Sequence, residues 1–334
     1  MTDSTSSADA RVQLIDVHAH FVTDEYVSAA RAAGHQHPDG MPGWPQWSAE
    51  QHLRLMDQWG VGRSILSISS PGIHFGDDKD ARALARQVNQ AGAATAAAQP
   101  DRFGHFASLP LPDVDGSLAE LAYAVDELGS VGVTVETNTG GSYLGDDRYA
   151  PLYEELNRRR TVVFVHPTSP QCAEQVSLGR PRPMLEFIFD STRAVSDLVF
   201  TGTLARYPDI EWVFTHGGGA LPLLADRMEL FRHAFGADGD GDGDGGGDGD
   251  GPSVQEQVGR LWFDMAGTPF PRQVPTLTEA FGSQRLLYGS DYCWTPPPAV
   301  GQQVAAIDSA RQPDGDSWRA LTTRNAERLL GRPR

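Results

Sequence analysis

Leu14-Ile15-Asp16-Val17-His18-Ala19-His20 is the stretch on which the reading of this chain turns. It is an apolar, partly β-branched run ending in His-x-His, so it reads as a buried strand with two imidazoles at its C-terminal end. Residues two apart on a strand stand on the same side of the pleat, and both rings can reach one ion. Three further strand-like runs end in the same way: V-V-F-V-H at His166, W-V-F-T-H at His216 and L-L-Y-G-S-D at Asp291. A lone histidine ending a strand is often only a hydrogen-bonded structural residue, and an Asp after Gly-Ser serves equally well as a helix N-cap. Order and spacing argue for more, because the pair comes first, single histidines follow mid-chain, and the Asp stands near the end.

Working outward, strand-like segments recur at residues 64–69, 104–109, 131–137, 161–165, 211–215, 261–265 and 286–289, which with the first run makes eight. Helical patterns lie between them, at residues 48–59, 79–98, 117–128, 149–159 and 221–235. Such alternation is what parallel β/α units require, and eight of them predict an α/β chain closed into a (β/α)8 TIM barrel. Side chains at the C-terminal mouths of the strands then converge on one pocket, the face on which active sites of this architecture sit. Three imidazoles and a carboxylate there would make a divalent-metal site. The barrel needs about 250 residues; the 334 present leave room for a tail and inserted loops without a second domain. The expected organisation is a disordered tail over residues 1–11 and a single barrel domain over 12–334.

Two segments break the alternation. Residues 24–47, with His35, His37, Trp44, Trp47 and several Pro and Gly, are expected as an insert after the first strand, a lid on the active-site side. Its tryptophans either wall an aromatic pocket or pack the loop onto the barrel. The Asp/Gly run over residues 238–251 has no apolar residue and is expected as a disordered surface loop. Its alternating Asp and Gly offer oxygen ligands for calcium, but the spacing and terminal Glu of an EF-hand are missing.

Charge narrows the function classes. Lys plus Arg number 27 against 44 Asp plus Glu, a net charge of −17, which argues against nucleic acid or an anionic membrane surface as partner. The N-terminus has neither a basic region nor an apolar core of the secretory kind, and no stretch approaches 18 uncharged apolar residues. A cytoplasmic location is expected. Cys172 and Cys293 lie far apart in sequence and imply no disulfide framework, and Cys293, two residues past Asp291, lacks a visible activating base.

These motifs resemble the metal-dependent amidohydrolase superfamily. Within it, the chain is similar to the decarboxylase branch of aminocarboxymuconate semialdehyde decarboxylase, γ-resorcylate decarboxylase and the 6-methylsalicylate decarboxylases. The likeness runs from about Leu14 to Leu330 through D-V-H-A-H-F, F-V-H-P-T, F-T-H-G-G-G-A-L-P, Y-G-S-D-Y and N-A-E-R-L-L-G. It implies that His18, His20, His166 and Asp291 are metal ligands and that His216 is an acid/base residue. The binuclear branch has a carboxylated lysine at the end of the fourth strand; here V-G-V-T-V-E-T-N holds Glu136, Thr137 and Asn138 and no lysine, so one cation is expected. Imidazole-rich ligation favours Zn2+, with Mn2+ the alternative. Arg227 matches the family arginine that reaches into the neighbouring subunit's pocket to hold a substrate carboxylate, which implies a homodimer. As a lone residue it reads equally as a solvated helix charge.

The semialdehyde decarboxylase carries a substrate-binding Arg before its first helix, whereas no Arg stands between Gly34 and Gln51. A phenolic monocarboxylate therefore fits better than a dicarboxylate, with Trp44, Trp47 or His74 against the ring. The I-L-S-I-S-S-P-G segment within residues 64–72 resembles the 6-methylsalicylate decarboxylases in particular. Aryl decarboxylation is slow because the departing electron pair would occupy an unstabilised sp² orbital, so the ring carbon bearing the carboxylate must first gain a proton. His216 or Asp291 is the expected donor. The rival expectation is a mononuclear hydrolase or hydratase acting on a lactone, amide or unsaturated acid, and a third is a metal-binding barrel without turnover. Only decarboxylation releases CO2.

Overall fold

The computed structural model describes residues 12–235 and 251–331. The expected tail over residues 1–11, and all but the last residue of the Asp/Gly run, lie outside them. Eight parallel strands pair in chain order: β1 (Leu14–His20), β2 (Val61–Ser67), β3 (Phe103–Ser108), β4 (Gly132–Glu136), β5 (Val162–His166), β6 (Glu211–Phe214), β7 (Trp262–Asp264) and β8 (Leu286–Leu287). The sheet closes on itself, since parallel bridges join Asp16 to Tyr288 and Ala19 to Tyr292, and the Val17 amide donates to the Tyr288 carbonyl at 3.0 Å. The TIM barrel expected from the alternation is the observed fold.

Strand limits differ from the sequence reading most at β2, which begins at Val61 rather than residue 64, and at β8, which is only two residues long, because past Tyr288 the chain turns over the barrel mouth to bring Asp291 inward. Helices start where a short polar side chain precedes the apolar pattern: Ser48 accepts from the Gln51 amide (3.2 Å) and Asp113 from the Gly116 amide (3.0 Å). The helix Ala49–Trp59 ends on Gly60 in the left-handed region at φ 70°, and β2 follows at once. This tight passage sets the register that places Ser67 beside His20.

Residues 24–47 are more ordered than an irregular lid. They fold into a helix, Asp24–Ala32, capped by the Thr23 hydroxyl, and a short 3₁₀ turn, Pro38–Gly40. A buried cluster takes Val17, Ile65, Phe106, Phe164, Val213, Trp262 and Leu287 from seven of the strands. The rings of Phe106 and Phe164 stack at 5.2 Å, and Phe164 meets the His18 ring edge-on at 5.2 Å. The cluster therefore forms the apolar floor on which the histidines stand. Among the described residues, no helix is long and apolar enough to cross a membrane.

Candidate metal centre and active-site cavity

β1, β5 and the loop after β8 deliver His18, His20, His166 and Asp291 to one point, where one ligand atom from each lies within 4.8 Å of the others. Each ring is oriented by what its Nδ1 meets. His18 donates to Asp264 (2.9 Å), His20 to the Ser67 hydroxyl (3.0 Å), and His166 to the Pro167 carbonyl (2.8 Å). With Nδ1 engaged, Nε2 is the atom left to bind a cation, the usual way outer partners fix the tautomer of a ligating histidine. The Nε2 atoms of His18 and His20 stand 3.0 Å apart and face Asp291 Oδ1 at 3.5 and 3.3 Å.

The donor set suits a positive charge at its centre. Burial presses the His18 imidazolium down, but Asp264 and Asp291 outweigh it and bring the ring up to about 10. Burial lowers His20, and His166 is driven well below the usual histidine range by burial and by the neighbouring rings of His20, His18 and His216. Asp291 resists the upward push of burial and stays well below the ordinary carboxylate range, because the rings of His18, His20 and His216 all face it, at 3.3 to 3.6 Å. A buried group with two ionised carboxylates, which holds charge on one ring while suppressing it on two others, fits a single divalent cation.

His216 approaches from the other side, with Nε2 3.6 Å from Asp291 Oδ2. Both residues are held in the left-handed region, His216 at φ 52° and Asp291 at φ 57°. For residues other than glycine this conformation costs on the order of 1–3 kcal/mol and persists only where the surroundings enforce it. Asp264 enforces it at His216 by accepting from its amide (2.9 Å), and the His18 carbonyl accepts the Asp291 amide (2.8 Å). The T-H-G-G-G motif has a steric cause as well: a Cβ on Gly219 would stand 2.0 Å from the Ile188 carbonyl oxygen at φ 68°. Similarly, a Cβ on Gly289 would stand 2.6 Å from that of His18.

A cavity of about 500 Å³ opens over His166, His216 and Asp291, within the usual size range of small-molecule sites. Phe187, Ile188, Met184 and Trp294 supply its apolar wall, and Asp39 and Met41 of the insert close one side. The structure thus brings the five strand-end residues together, but not the expected ring contacts. Trp44 donates to the His35 carbonyl (2.8 Å) and packs behind Trp294, while Trp47 donates to His52 (3.1 Å) and packs on Phe21. Both therefore pin the insert to the barrel, and neither lines this cavity. His74 pairs with Asp78 (2.8 Å) in a neighbouring cavity. Arg227 is exposed on the helix Leu221–Phe235, its guanidinium 4.7 Å above the Phe231 ring.

Asp264 was not singled out from the sequence, although a carboxylate inside the otherwise apolar L-W-F-D-M was the available signal. It is fully buried and joins His18, His216 and the Ala266 amide. Glu136, at the end of β4, lies 3.8 Å from His166 Nδ1, and burial pushes its carboxyl well above the usual range. Burial also pushes the Cys293 thiol up to about 12, which leaves it protonated and a poor nucleophile.

Known proteins share this arrangement of elements. The amidohydrolase family model matches residues 15–332. A 6-methylsalicylic acid decarboxylase of Aspergillus aculeatus is 33% identical, over 95% of this chain and 96% of its own. Among solved structures, an amidohydrolase II superposes with a TM-score of 0.87 at 31% identity, over 96% of this chain and 100% of the other. A dihydroxybenzoic acid decarboxylase of Polaromonas, solved with bound manganese and the inhibitor 2-nitroresorcinol, shares the fold with a TM-score of 0.79 at 21% identity, over 96% and 97% of the two chains. The chain belongs to the amidohydrolase family, in the branch that holds the 6-methylsalicylic acid, aminocarboxymuconate-semialdehyde and γ-resorcylate decarboxylases.

Proposed function

We propose that this protein is a metal-dependent carbon–carbon lyase that removes CO2, without oxidation, from an ortho-hydroxy aromatic carboxylic acid of the 6-methylsalicylate kind. The observation that carries the reading is the convergence of His18, His20, His166 and Asp291 beside His216 at the floor of a 500 Å³ cavity. Two relatives named 6-methylsalicylic acid decarboxylase, each 33% identical over at least 90% of this chain, support the substrate class.

His18, His20, His166 and Asp291 would hold one divalent cation, Zn2+ by its imidazole-rich donor set, with Mn2+ the alternative. Bound there, such a cation would supply Lewis acidity that favours the ionised form of a substrate hydroxyl. The remaining work falls to the chain itself. His216 Nε2 and Asp291 Oδ2, 3.6 Å apart, form the pair that keeps a proton at the cavity floor. From there it is delivered to the ring carbon bearing the carboxylate, after which C–C cleavage restores aromaticity and releases CO2. Phe187, Ile188 and Trp294 exclude water from the ring.

We assign Arg227 to the partner subunit's cavity in a homodimer. It shares its helix with exposed Leu223, Leu230, Phe231 and Phe235, an apolar face of the kind that subunit contacts cover. Replacing Arg227 with alanine is expected to raise KM about 10- to 100-fold, the loss of one charge-assisted contact. Steady-state kinetics with sedimentation analysis measures this, and an unchanged KM in an intact dimer removes Arg227 from the site.

The reading is tested by incubating metal-loaded protein with 6-methylsalicylate and related ortho-hydroxybenzoates and measuring CO2 and the phenol formed. Metal-dependent CO2 with a matching phenol is the expected result. No CO2 from any of them, with hydrolysis of a lactone or amide or hydration of an unsaturated acid instead, would transfer the same residues to water activation.

A further inference from the structure

Two side chains of the cavity wall are not used by the chemistry just described. In the decarboxylase reading the substrate's carboxylate and ortho hydroxyl bind beside the histidines and Asp291, and two carboxamides, Gln273 and Gln303, also line the wall. Gln303, on the helix Pro297–Ser309, is 6% exposed, and its Oε1 has no hydrogen-bond partner within the fold. Gln273 stands against the loop after His216, its Cγ 3.1 Å from where a Cβ of Gly217 would be. Its Nε2 donates to the Ala266 carbonyl at a long 3.3 Å, and its Oε1 likewise has no partner. Both oxygens are shielded at the wall, and turning either towards a ligand needs only rotation about the last side-chain torsion, which is soft.

A carboxamide oxygen only accepts hydrogen bonds. The group that satisfies these two must therefore donate, and a methyl group does not. Resting on the decarboxylase reading of the same cavity, we infer that Gln273 and Gln303 are specificity-determining residues that select a ring bearing a further hydrogen-bond donor, a second hydroxyl where 6-methylsalicylate carries a methyl or a hydrogen. The shape of the cavity accepts either substituent, since hydroxyl and methyl are close in size. The discrimination comes from leaving two buried acceptors unpaired when the methyl analogue binds.

The test uses matched pairs of salicylates that differ only by hydroxyl or methyl at ring positions 3, 4, 5 and 6. Two quantities are read on metal-loaded protein: kcat/KM for CO2 release, and the dissociation constant measured calorimetrically on the His216→Asn variant, which binds without rapid turnover. At one ring position the hydroxyl member is expected to be preferred at least about ten-fold in both. Gln273→Leu and Gln303→Leu, with Gln273→Met and Gln303→Met as gentler replacements should either leucine variant fold poorly, are expected to bring that ratio below about two-fold. A ratio near one at every position, or a preference that survives all four replacements, overturns the inference. CO2 release without hydroxyl preference leaves the decarboxylase reading standing and this inference fallen. A hydroxyl preference in binding, lost in the variants but with no CO2 from any ring, does the reverse.

Discussion

Replacing His216 with asparagine is expected to lower kcat for CO2 release by about 10²- to 10⁴-fold, the usual worth of a positioned proton-transfer group. Bound metal should stay at the wild-type level. The two outcomes separate because His216 stands outside the group of four convergent ligands. Its Nε2 faces Asp291 Oδ2, and its amide is tied to Asp264 rather than to any ligand. Asparagine is the informative substitution, since it tolerates the left-handed backbone that His216 adopts at φ 52° and keeps a polar side chain without a titrating ring. Kinetics paired with elemental analysis of the purified variant reads both quantities. Metal lost in proportion to activity would reclassify His216 as a ligand, and wild-type kcat would remove it from the chemistry.

The residues that could be read from the sequence are those whose role follows from strand periodicity. His18 and His20 lie two apart on β1, so one strand register places both rings at one point, and His166 ends a strand with the same polarity. Asp264 eluded that logic because its work is a contact across 246 positions of sequence, from β7 to a ring on β1. A carboxylate within an apolar strand marks such a residue as unusual without saying which histidine it holds. The aromatic insert misled for a complementary reason. Tryptophan offers both a large apolar face and a donor; Trp47 spends its donor on His52 of the following helix, Trp44 spends its donor on His35 within the insert, and their rings pack on Phe21 and Trp294. Gln273 and Gln303 carry no periodic signal at all, and only the closed fold brings a turn after β7 and a helix after β8 to the same wall.

Stripping the divalent cation with a chelator is expected to abolish CO2 release and to lower the melting temperature, with both restored on adding Zn2+ or Mn2+. The stability effect follows from linkage. A ligand that binds only the folded chain, present at a thousand times its dissociation constant, stabilises it by about 4 kcal/mol. The site gives that linkage a physical basis here, since two buried carboxylates, Asp264 and Asp291, converge on the His18 ring and gain from a positive charge held beside them. His18→Ala should reproduce the chelated state, losing activity beyond recovery by added metal. Asp264→Asn should fall between, because it keeps all four ligands and removes only the acceptor that orients His18; about a 10- to 100-fold weaker metal affinity is expected. Chelator competition followed by differential scanning calorimetry on wild type, His18→Ala and Asp264→Asn ranks the three. Full turnover by wild-type protein shown to hold no metal would sink the metal-dependent reading, and metal affinity unaltered in Asp264→Asn would reduce Asp264 to a purely structural partner of the His216 backbone.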